Sequence, residues 1–272
     1  MTADAAGHGG LILFALVLLS AAMSLAWLIQ RVTRNSGWID TIWSLSTGLT
    51  AALVVICSGE MTPRRWAIVL LIAAWSARLA VHIGQRTLRV NDDPRYRALI
   101  EQWGRSAGWR LWCFLQVQAA VAGVLVVCIL LPAAKPGAVG LWDLACFGLA
   151  LIALAGESAA DWQLQTFKRT RPSPQAICET GLWSLSRHPN YFFEWLFWLA
   201  IALSALSLDG SYAIGWLTLV APALMYVVLV YGSGVPHSEA QMLRSRGEKF
   251  ASYQKRVPMF FPGLRRLLRR SR

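Results

Sequence analysis

The sequence predicts an all-α integral membrane protein with about seven transmembrane helices. Hydrophobic residues make up 56% of its 272 residues, more than an ordinary soluble domain carries. These residues are gathered into runs of about 20, the length that crosses a bilayer. The 14 tryptophans suit a chain whose indoles lie at both membrane interfaces. We therefore expect one membrane-embedded domain over residues 1–272.

Seven apolar segments are long enough to span the membrane. They are 10–30, 38–58, 65–85, 109–131, 140–162, 191–208 and 212–232, followed by a tail over 233–272. Asp209, Gly210 and Pro222 break the stretch 206–232, which leaves the exact number of spans open. The first run lacks a basic leader and a cleavage site, so we expect a retained span and no signal peptide.

The distribution of Lys and Arg predicts the orientation. The net charge is +12, and most cations lie in the first, third and fifth connections and in the tail. The alternate loops hold only Arg64, Arg65 and Lys135. By the positive-inside rule the N-terminus lies outside and the tail is cytosolic. We expect segment 239–255 to form an amphipathic helix on the cytosolic face and the basic end 264–272 to bind anionic lipid.

Composition also argues against some classes of site. The sequence has no nucleic-acid-binding signature, so we attribute its charge to topology and lipid contact. Its five cysteines have no metal-ligand spacing, which predicts neither a metal site nor a disulfide framework. It has no G-x-G-x-x-G after a strand and no Walker A motif, so a bound nucleotide would use arginines and helix ends.

Polar residues inside the spans predict a pocket. Under the predicted topology they all lie in the cytosolic half, on four helices. They are Asp40 on the second span, Arg78, His82 and Arg86 on the third, Glu157, Asp161, Gln165 and Lys168 on the fifth, and Asn190 and Glu194 on the sixth. Each alone could be a structural ion pair or a snorkelling cation. Together they favour a polar pocket open to the cytosol, because intramembrane charges usually face a cavity or each other.

The third connection holds a further candidate segment, Asp92-Asp93-Pro94-Arg95-Tyr96-Arg97. An aspartate before a proline favours a turn. Tyr96 between Arg95 and Arg97 suits a phosphate, because guanidinium groups bind phosphate with two hydrogen bonds. A solvated basic loop on anionic lipid explains the same residues about equally well.

Five parts of the chain resemble a known superfamily. The main one is Gly181–Glu194, read as Gly-Leu-Trp-x-x-Ser-Arg-His-Pro-Asn-Tyr-x-x-Glu. The others are Asp40-x-x-Trp43, Glu157-x-x-x-Asp161, Ser233-Gly-Val-Pro236, and Tyr253 with Phe261-Pro262. This combination resembles a bacterial membrane family of unknown function that is grouped with the C-terminal domain of steroid 5α-reductases.

The resemblance implies NADPH-dependent reduction of a carbon–carbon double bond conjugated to a ketone. The substrate would be lipophilic, steroid-like or isoprenoid, and the cofactor site would face the cytosol of the bacterial inner membrane. The candidate cofactor-binding residues are Arg86, Arg95, Tyr96, Arg97, Glu157, Asp161, Lys168, Arg187, His188, Asn190, Tyr191, Glu194, Glu239, Tyr253 and Arg256. Asp40 and His82 are the candidate catalytic residues, because Ile83 stands where the reductases have a tyrosine.

Two alternatives remain open. Arg187-His188-Pro189, with Glu239 and the tail pattern through Tyr253 and Pro262, also resembles S-adenosylmethionine-dependent isoprenylcysteine and phospholipid methyltransferases. Those enzymes have adjacent acids where this chain has Ser238 and Glu239, which favours the reductases. The other alternative is a non-catalytic lipid-binding membrane protein whose buried charges only pair with one another. The sequence leaves the oligomeric state open.

Overall fold

The computed structural model describes residues 2–89, 92–207 and 209–263, with side chains from Gly9 onward. Over these ranges the chain is helical and contains no strand. The helices are α1 (Thr2–Thr33), α2 (Gly37–Cys57), α3 (Pro63–Thr87), α4 (Pro94–Trp103), α5 (Ala107–Ala134), α6 (Leu141–Thr170), α7 (Pro189–Ser204), α8 (Val220–Val227), α9 (Val235–Arg246) and α10 (Glu248–Arg256). Short 3₁₀ turns cover Gly104–Ser106, Gly181–Ser184 and Ala213–Leu219, and a π turn covers Val228–Gly232.

Six helical segments within the described ranges are long and apolar enough to cross a membrane, so the chain is a multi-pass membrane protein. They are Gly9–Thr33, Gly37–Cys57, Pro63–Thr87, Pro94–Ala134, Leu141–Thr170 and Ala213–Arg246. The helix α7 is not among them because it has 16 residues, or about 24 Å of helix. The count of seven spans and the orientation therefore stay predictions.

Each of the first five predicted spans falls on a helix, although α6 continues to Thr170, beyond the predicted end at residue 162. The last predicted span, 212–232, is divided into a 3₁₀ turn, α8 and a π turn. The third connection contains α4 where we expected only a turn. Asp93 caps this helix and Pro94 occupies its first turn, positions that both residue types favour at a helix start.

The contacts divide the chain into two compact units, which we describe separately. Unit 1 comprises residues 1–147 and 201–221. Its core is built by α1, α2, α3 and α5 around side chains with no exposure to solvent, including Met23, Trp75 and Leu115. A Cβ on Gly48 would lie 2.4 Å from the Ser76 hydroxyl, so glycine is needed where α2 and α3 approach each other. The Ser76 hydroxyl donates to the Ser44 carbonyl at 2.9 Å.

An ion-pair cluster closes one end of unit 1. Arg64 is 4% exposed and donates to Asp143 at 3.0 Å. The same guanidinium also donates to carbonyl oxygens of the loop after α5. Lys135 lies 3.4 Å from Asp143 and donates to the carbonyls of Ser204 and Leu206. Arg65 likewise donates to the Ala133 carbonyl at 3.2 Å. All three cations in the sparsely charged loops are thus bound within the protein, where they satisfy carbonyls near helix ends.

Unit 2 comprises residues 148–200 and 222–272. The helices α6 and α7 approach closely at Gly156, where a Cβ would lie 2.4 Å from the Phe193 ring. The Trp183 indole donates to the Ala160 carbonyl at 2.9 Å, which fixes the connection between the two helices on α6. This connection brings the Arg187-His188 stretch to the start of α7.

The tail of unit 2 folds as two helices that meet at Gly247, whose φ is +52°. Phe250, Tyr253 and Val257 form a buried apolar cluster with the half-buried Ile177 and Met242. The expected amphipathic segment 239–255 is therefore helical apart from this break, and its contact with a membrane face stays a prediction. The predicted lipid-binding end 264–272 lies outside the described residues.

Candidate functional site

A hydrogen-bonded network in unit 1 centres on Asp40, near the start of α2. Arg95 donates to Asp40 Oδ2 in an ion pair. The Tyr96 hydroxyl donates to Asp40 Oδ1 at 2.7 Å, and Gln118 Nε2 on α5 donates to the Tyr96 oxygen at 2.9 Å. The Tyr96 side chain is 4% exposed and meets Phe114 edge-on, with ring centroids 6.3 Å apart. The network therefore joins α2, α4 and α5.

The same network extends through the cap of α4. Asp93 Oδ1 accepts from the Arg95 backbone at 2.9 Å, and its Oδ2 accepts from Arg86 at 2.8 Å and from Arg95 at 2.9 Å. Burial raises the pKa of Asp93, but the hydrogen bonds and charges of Arg95 and Arg86 outweigh burial and leave this pKa below its ordinary value. Asp93 is therefore ionised at neutral pH.

The arginines predicted to bind phosphate are all paired with carboxylates of this network. Arg86 and Arg95 donate to Asp93, and Arg97 Nε donates to Asp92 at 3.2 Å. Arg86 and Arg97 have side chains that are 51% exposed, so each keeps donors that face solvent. His82 lies one turn before Arg86 on α3 and is half-buried.

A second network, in unit 2, centres on Glu239 of α9. Arg187 donates to Glu239 through Nε at 2.7 Å and Nη2 at 3.3 Å. His188 Nε2 lies 3.0 Å from the same carboxylate, and Gln254 donates to it at 2.6 Å. The His188 ring stacks on Tyr191 with centroids 5.3 Å apart. Both residues of the Arg-His motif therefore bind the tail of their own chain.

Backbone contacts tie the same connection to the tail. The Arg187 amide donates to the Pro258 carbonyl at 2.9 Å, and the Gly263 amide donates to the Leu185 carbonyl at 2.9 Å. Arg187 Nη1 donates to the carbonyls of Gln254 and Val257. The Tyr253 hydroxyl donates to the Trp183 carbonyl at 2.6 Å. Arg187 and Tyr253 thus hold the tail against the connection.

The buried acids of α6 and α7 form a separate group in unit 2. Glu157, Asp161 and Glu194 are each at most 6% exposed. Asn190 Nδ2 donates to Asp161 Oδ1 at 3.3 Å, and the Trp198 indole donates to Glu194 at 3.0 Å. The Asn190 amide nitrogen therefore faces Asp161, and its amide oxygen does not take part in this contact.

The oxygen of Asn190 carries the clearest sign of a ligand. Asn190 Oδ1 is buried and accepts no hydrogen bond from any residue that the structure describes. A buried carbonyl oxygen of this kind costs about 1–3 kcal/mol unless a donor reaches it. Asp161 lies next to it, so the pair offers acceptor oxygens to a ligand that carries N–H or O–H donors.

The predicted site residues other than His82 fall into four groups. Asp40, Arg86, Arg95 and Tyr96 share the first network, with Arg97 bound to its neighbour Asp92. Arg187, His188, Tyr191 and Glu239 share the second network, and Tyr253 packs in the tail beside it. Glu157, Asp161, Asn190 and Glu194 lie on α6 and α7, with Lys168 in the last turn of α6. Arg256 lies apart, in an exposed ion pair with Glu179 at 2.8 Å.

Sequence reasoning missed Gln118, Asp93 and Gln254. Gln118 could have been identified from the sequence, because it is a polar residue inside an apolar span. Asp93 could also have been identified, as a helix cap, since Asp-Pro before a basic amphipathic stretch can start a helix as well as a turn. Nothing in the sequence identified Gln254, because its partner Glu239 is 15 residues away and only the fold brings the two together.

Comparison with known proteins gives a family and no activity. No curated protein and no solved structure matches the chain. One family model does match the chain, from the end of α1 to the end of the tail helices, and the match therefore covers both networks. Residues 26–257 match the family described as Protein of unknown function (DUF1295), and the chain belongs to that family.

Proposed function

We propose that the protein uses NADPH to reduce a carbon–carbon double bond conjugated to a ketone in a lipophilic substrate, steroid-like or isoprenoid. The observation that carries this proposal is the buried, unpartnered Oδ1 of Asn190, whose amide nitrogen donates to Asp161. The nicotinamide carboxamide has N–H donors that match this oxygen, and ribose hydroxyls match the neighbouring acids. Bound NADPH would supply the hydride.

Within unit 1, the exposed arginines of the first network have donors that a phosphate group requires. Arg86 and Arg97 each use one guanidinium nitrogen on an aspartate and are half exposed, so further donors remain. A guanidinium of this kind binds phosphate with planar hydrogen bonds and remains charged at any physiological pH. Arg187 supports the cofactor role less, because four of its donors already bind Glu239 and tail carbonyls.

The membrane placement is part of the same proposal. Seven spans with the N-terminus outside would put the tail in the cytosol of a bacterial cell, where NADPH is made. The lipophilic substrate would enter from the inner membrane, and membrane lipids would surround the apolar outer surface of the helices. No oligomeric state is implied.

A thermal-shift experiment on the protein in detergent tests the cofactor. We expect NADPH to raise the melting temperature, because a ligand that binds only the folded state stabilises it. Asn190→Leu removes the acceptor oxygen and should weaken NADPH about tenfold, which corresponds to about 1.4 kcal/mol. Glu194→Gln should weaken NADPH in the same direction. Gln241→Ala changes an exposed amide of the same unit and should leave the affinity unchanged.

The same preparation distinguishes the alternatives. Stabilisation by S-adenosylmethionine and none by NADPH would replace the proposal with lipid methyl transfer. Stabilisation by neither would favour a non-catalytic lipid-binding protein. Reduction itself is measured as NADPH consumption with cholest-4-en-3-one and with a farnesyl-chain enone, and the saturated ketone is identified by mass spectrometry.

A further inference from the structure

The end of unit 1 where α1 stops and α5 starts carries four exposed arginines, Arg31, Arg34, Arg105 and Arg110. None of their guanidinium groups forms an ion pair with a residue that the structure describes. The arginines of the first network differ from them, because each of those is paired with an aspartate. This end of unit 1 therefore presents positive charge that the protein itself does not neutralise.

The carboxylates closest in sequence to these arginines do not offset this charge. Asp40 is ion-paired with Arg95, and Asp92 is ion-paired with Arg97. Glu101 on α4 is exposed, and it is one carboxylate against four guanidinium groups. An anion that reaches this surface is therefore attracted to it.

Arg31 is held in place by the first turn of α5. Its Cζ atom lies 5.4 Å from the centroid of the Trp27 ring, one helical turn earlier on α1. The Trp27 indole donates to the Gly108 carbonyl at 2.8 Å. A Cβ on Gly108 would overlap Arg31 Nη1, so the guanidinium lies in space that a larger residue would fill. A side chain positioned in this way loses little further freedom when it binds a ligand.

A tryptophan pair lies between these arginines and the apolar outer surface of the helices. Trp109 is 66% exposed and stacks on Trp112, with ring centroids 5.2 Å apart. Trp112 donates to the Ser24 hydroxyl of α1 at 3.1 Å. On α1, the side chains of Leu28 and Val32 are also exposed. Tryptophan at the edge of an exposed apolar surface is typical of the level of lipid headgroups.

The combination of charge and apolar surface indicates a lipid rather than a soluble anion. Guanidinium groups bind phosphate with two hydrogen bonds, so the arginines suit a phosphodiester. The exposed leucine and valine side chains would have no role with free phosphate, whereas an acyl chain would cover them. Basic pockets between membrane helices bind anionic headgroups in this manner.

We propose that these four arginines and Trp109 bind the headgroup of an anionic phospholipid whose acyl chain lies along α1. Arg31 is the central contact, because α1 and α5 together fix its guanidinium. A lipid bound there bridges the two helices and stabilises the folded protein. The site lies in unit 1 and is separate from the lipid contact expected of the basic end 264–272.

A lipid titration of the full-length protein in detergent tests the site. We expect dioleoylphosphatidylglycerol to raise the melting temperature and to stay bound in native mass spectrometry. Dioleoylphosphatidylcholine has the same acyl chains and should do so less, and inorganic phosphate should have no effect. Arg31→Gln should weaken phosphatidylglycerol about fivefold, the contribution of one arginine near a membrane surface. Arg244→Gln is the matched control, because it removes an exposed arginine of α9, and it should leave the affinity unchanged.

A charge-neutral variant tests the position of the guanidinium. Gly108→Ala places a methyl group where Arg31 Nη1 lies, so it should weaken phosphatidylglycerol although the net charge is unchanged. Gly10→Ala on α1 is its control, since no atom lies within 4 Å of a Cβ at that position. Each variant is first melted without lipid, which shows that it folds.

The other outcomes would each overturn the proposal. Equal stabilisation by phosphatidylcholine would show that the acyl chains hold the lipid without the arginines. Stabilisation by inorganic phosphate would replace the lipid with a soluble anion. Equal losses in Arg31→Gln and Arg244→Gln, or full affinity in Gly108→Ala, would show diffuse attraction to the net charge of +12. None of these results depends on whether the protein binds NADPH.

Discussion

At the scale of single residues, two arginine–glutamate pairs of unit 2 show how burial determines the contribution of an ion pair to stability. The side chains of Arg187 and Glu239 are 11% and 13% exposed. Those of Arg256 and Glu179 are 46% and 31% exposed. Loss of one partner from a buried pair leaves an uncompensated charge, whereas solvent replaces the partner of an exposed pair. Removal of the arginine should therefore destabilise the protein more in the buried pair than in the exposed pair, although both pairs join the same two residue types.

We expect Arg187→Gln to lower the free energy of unfolding by about 3 kcal/mol, because Glu239 then stays buried without its cation. Arg256→Gln is the control and should cost less than about 1 kcal/mol. Unfolding in mild detergent with added denaturant measures both values. Equal losses in the two variants would show that the Glu239 network does not hold the tail.

At the scale of elements, α4 could have been predicted from the sequence, although we expected a turn in its place. Asp93, Pro94 and the residues after them carry a helix-start signal, which we interpreted as a turn. The long apolar helices were predictable because their periodicity and length leave few alternatives. The partner of each basic residue on α4 was not predictable, since Arg95 meets Asp40 across 55 residues.

The cap of α4 predicts an acid-dependent loss of stability. The pKa of Asp93 lies below its ordinary value of 3.8, so its contribution is complete above that value and is lost as pH falls through the lower, folded pKa. The difference in melting temperature between wild type and Asp93→Asn should be constant near neutral pH and shrink below about pH 3.8. Asp92 is present in both proteins, so the difference isolates Asp93. A difference that grows in acid would contradict this assignment.

At the scale of the whole molecule, hydropathy and loop charge predicted a multi-pass helical membrane protein, and the helices confirm that class. The sequence could not predict the two networks, because each unites residues from distant parts of the chain. His188 meets Glu239 across 51 residues, and Tyr96 meets Gln118 across 22. Spacing within one helix shows which residues share a face, but it does not show what that face meets.

The predicted orientation can be measured by cysteine labelling. In a variant without its five natural cysteines, Ala138→Cys and Gln175→Cys mark the connections after α5 and after α6. An impermeant maleimide applied to spheroplasts should label position 138 and not position 175, which should react only after the membrane is opened. The reverse pattern would place the N-terminus in the cytosol.

The contacts between the connection 185–187 and the tail 258–263 have a consequence for the order of events during synthesis. The ribosome makes residues 185–187 more than 70 residues before their partners in the tail. The Ser186 hydroxyl cannot donate to the Phe260 carbonyl until 74 more residues have been made. The start of α7 is therefore made before residues 185–187 can bind the tail. Closure of this part of unit 2 therefore follows the synthesis of residues 258–263, and a chain cut before Pro258 would leave residues 185–187 without these partners.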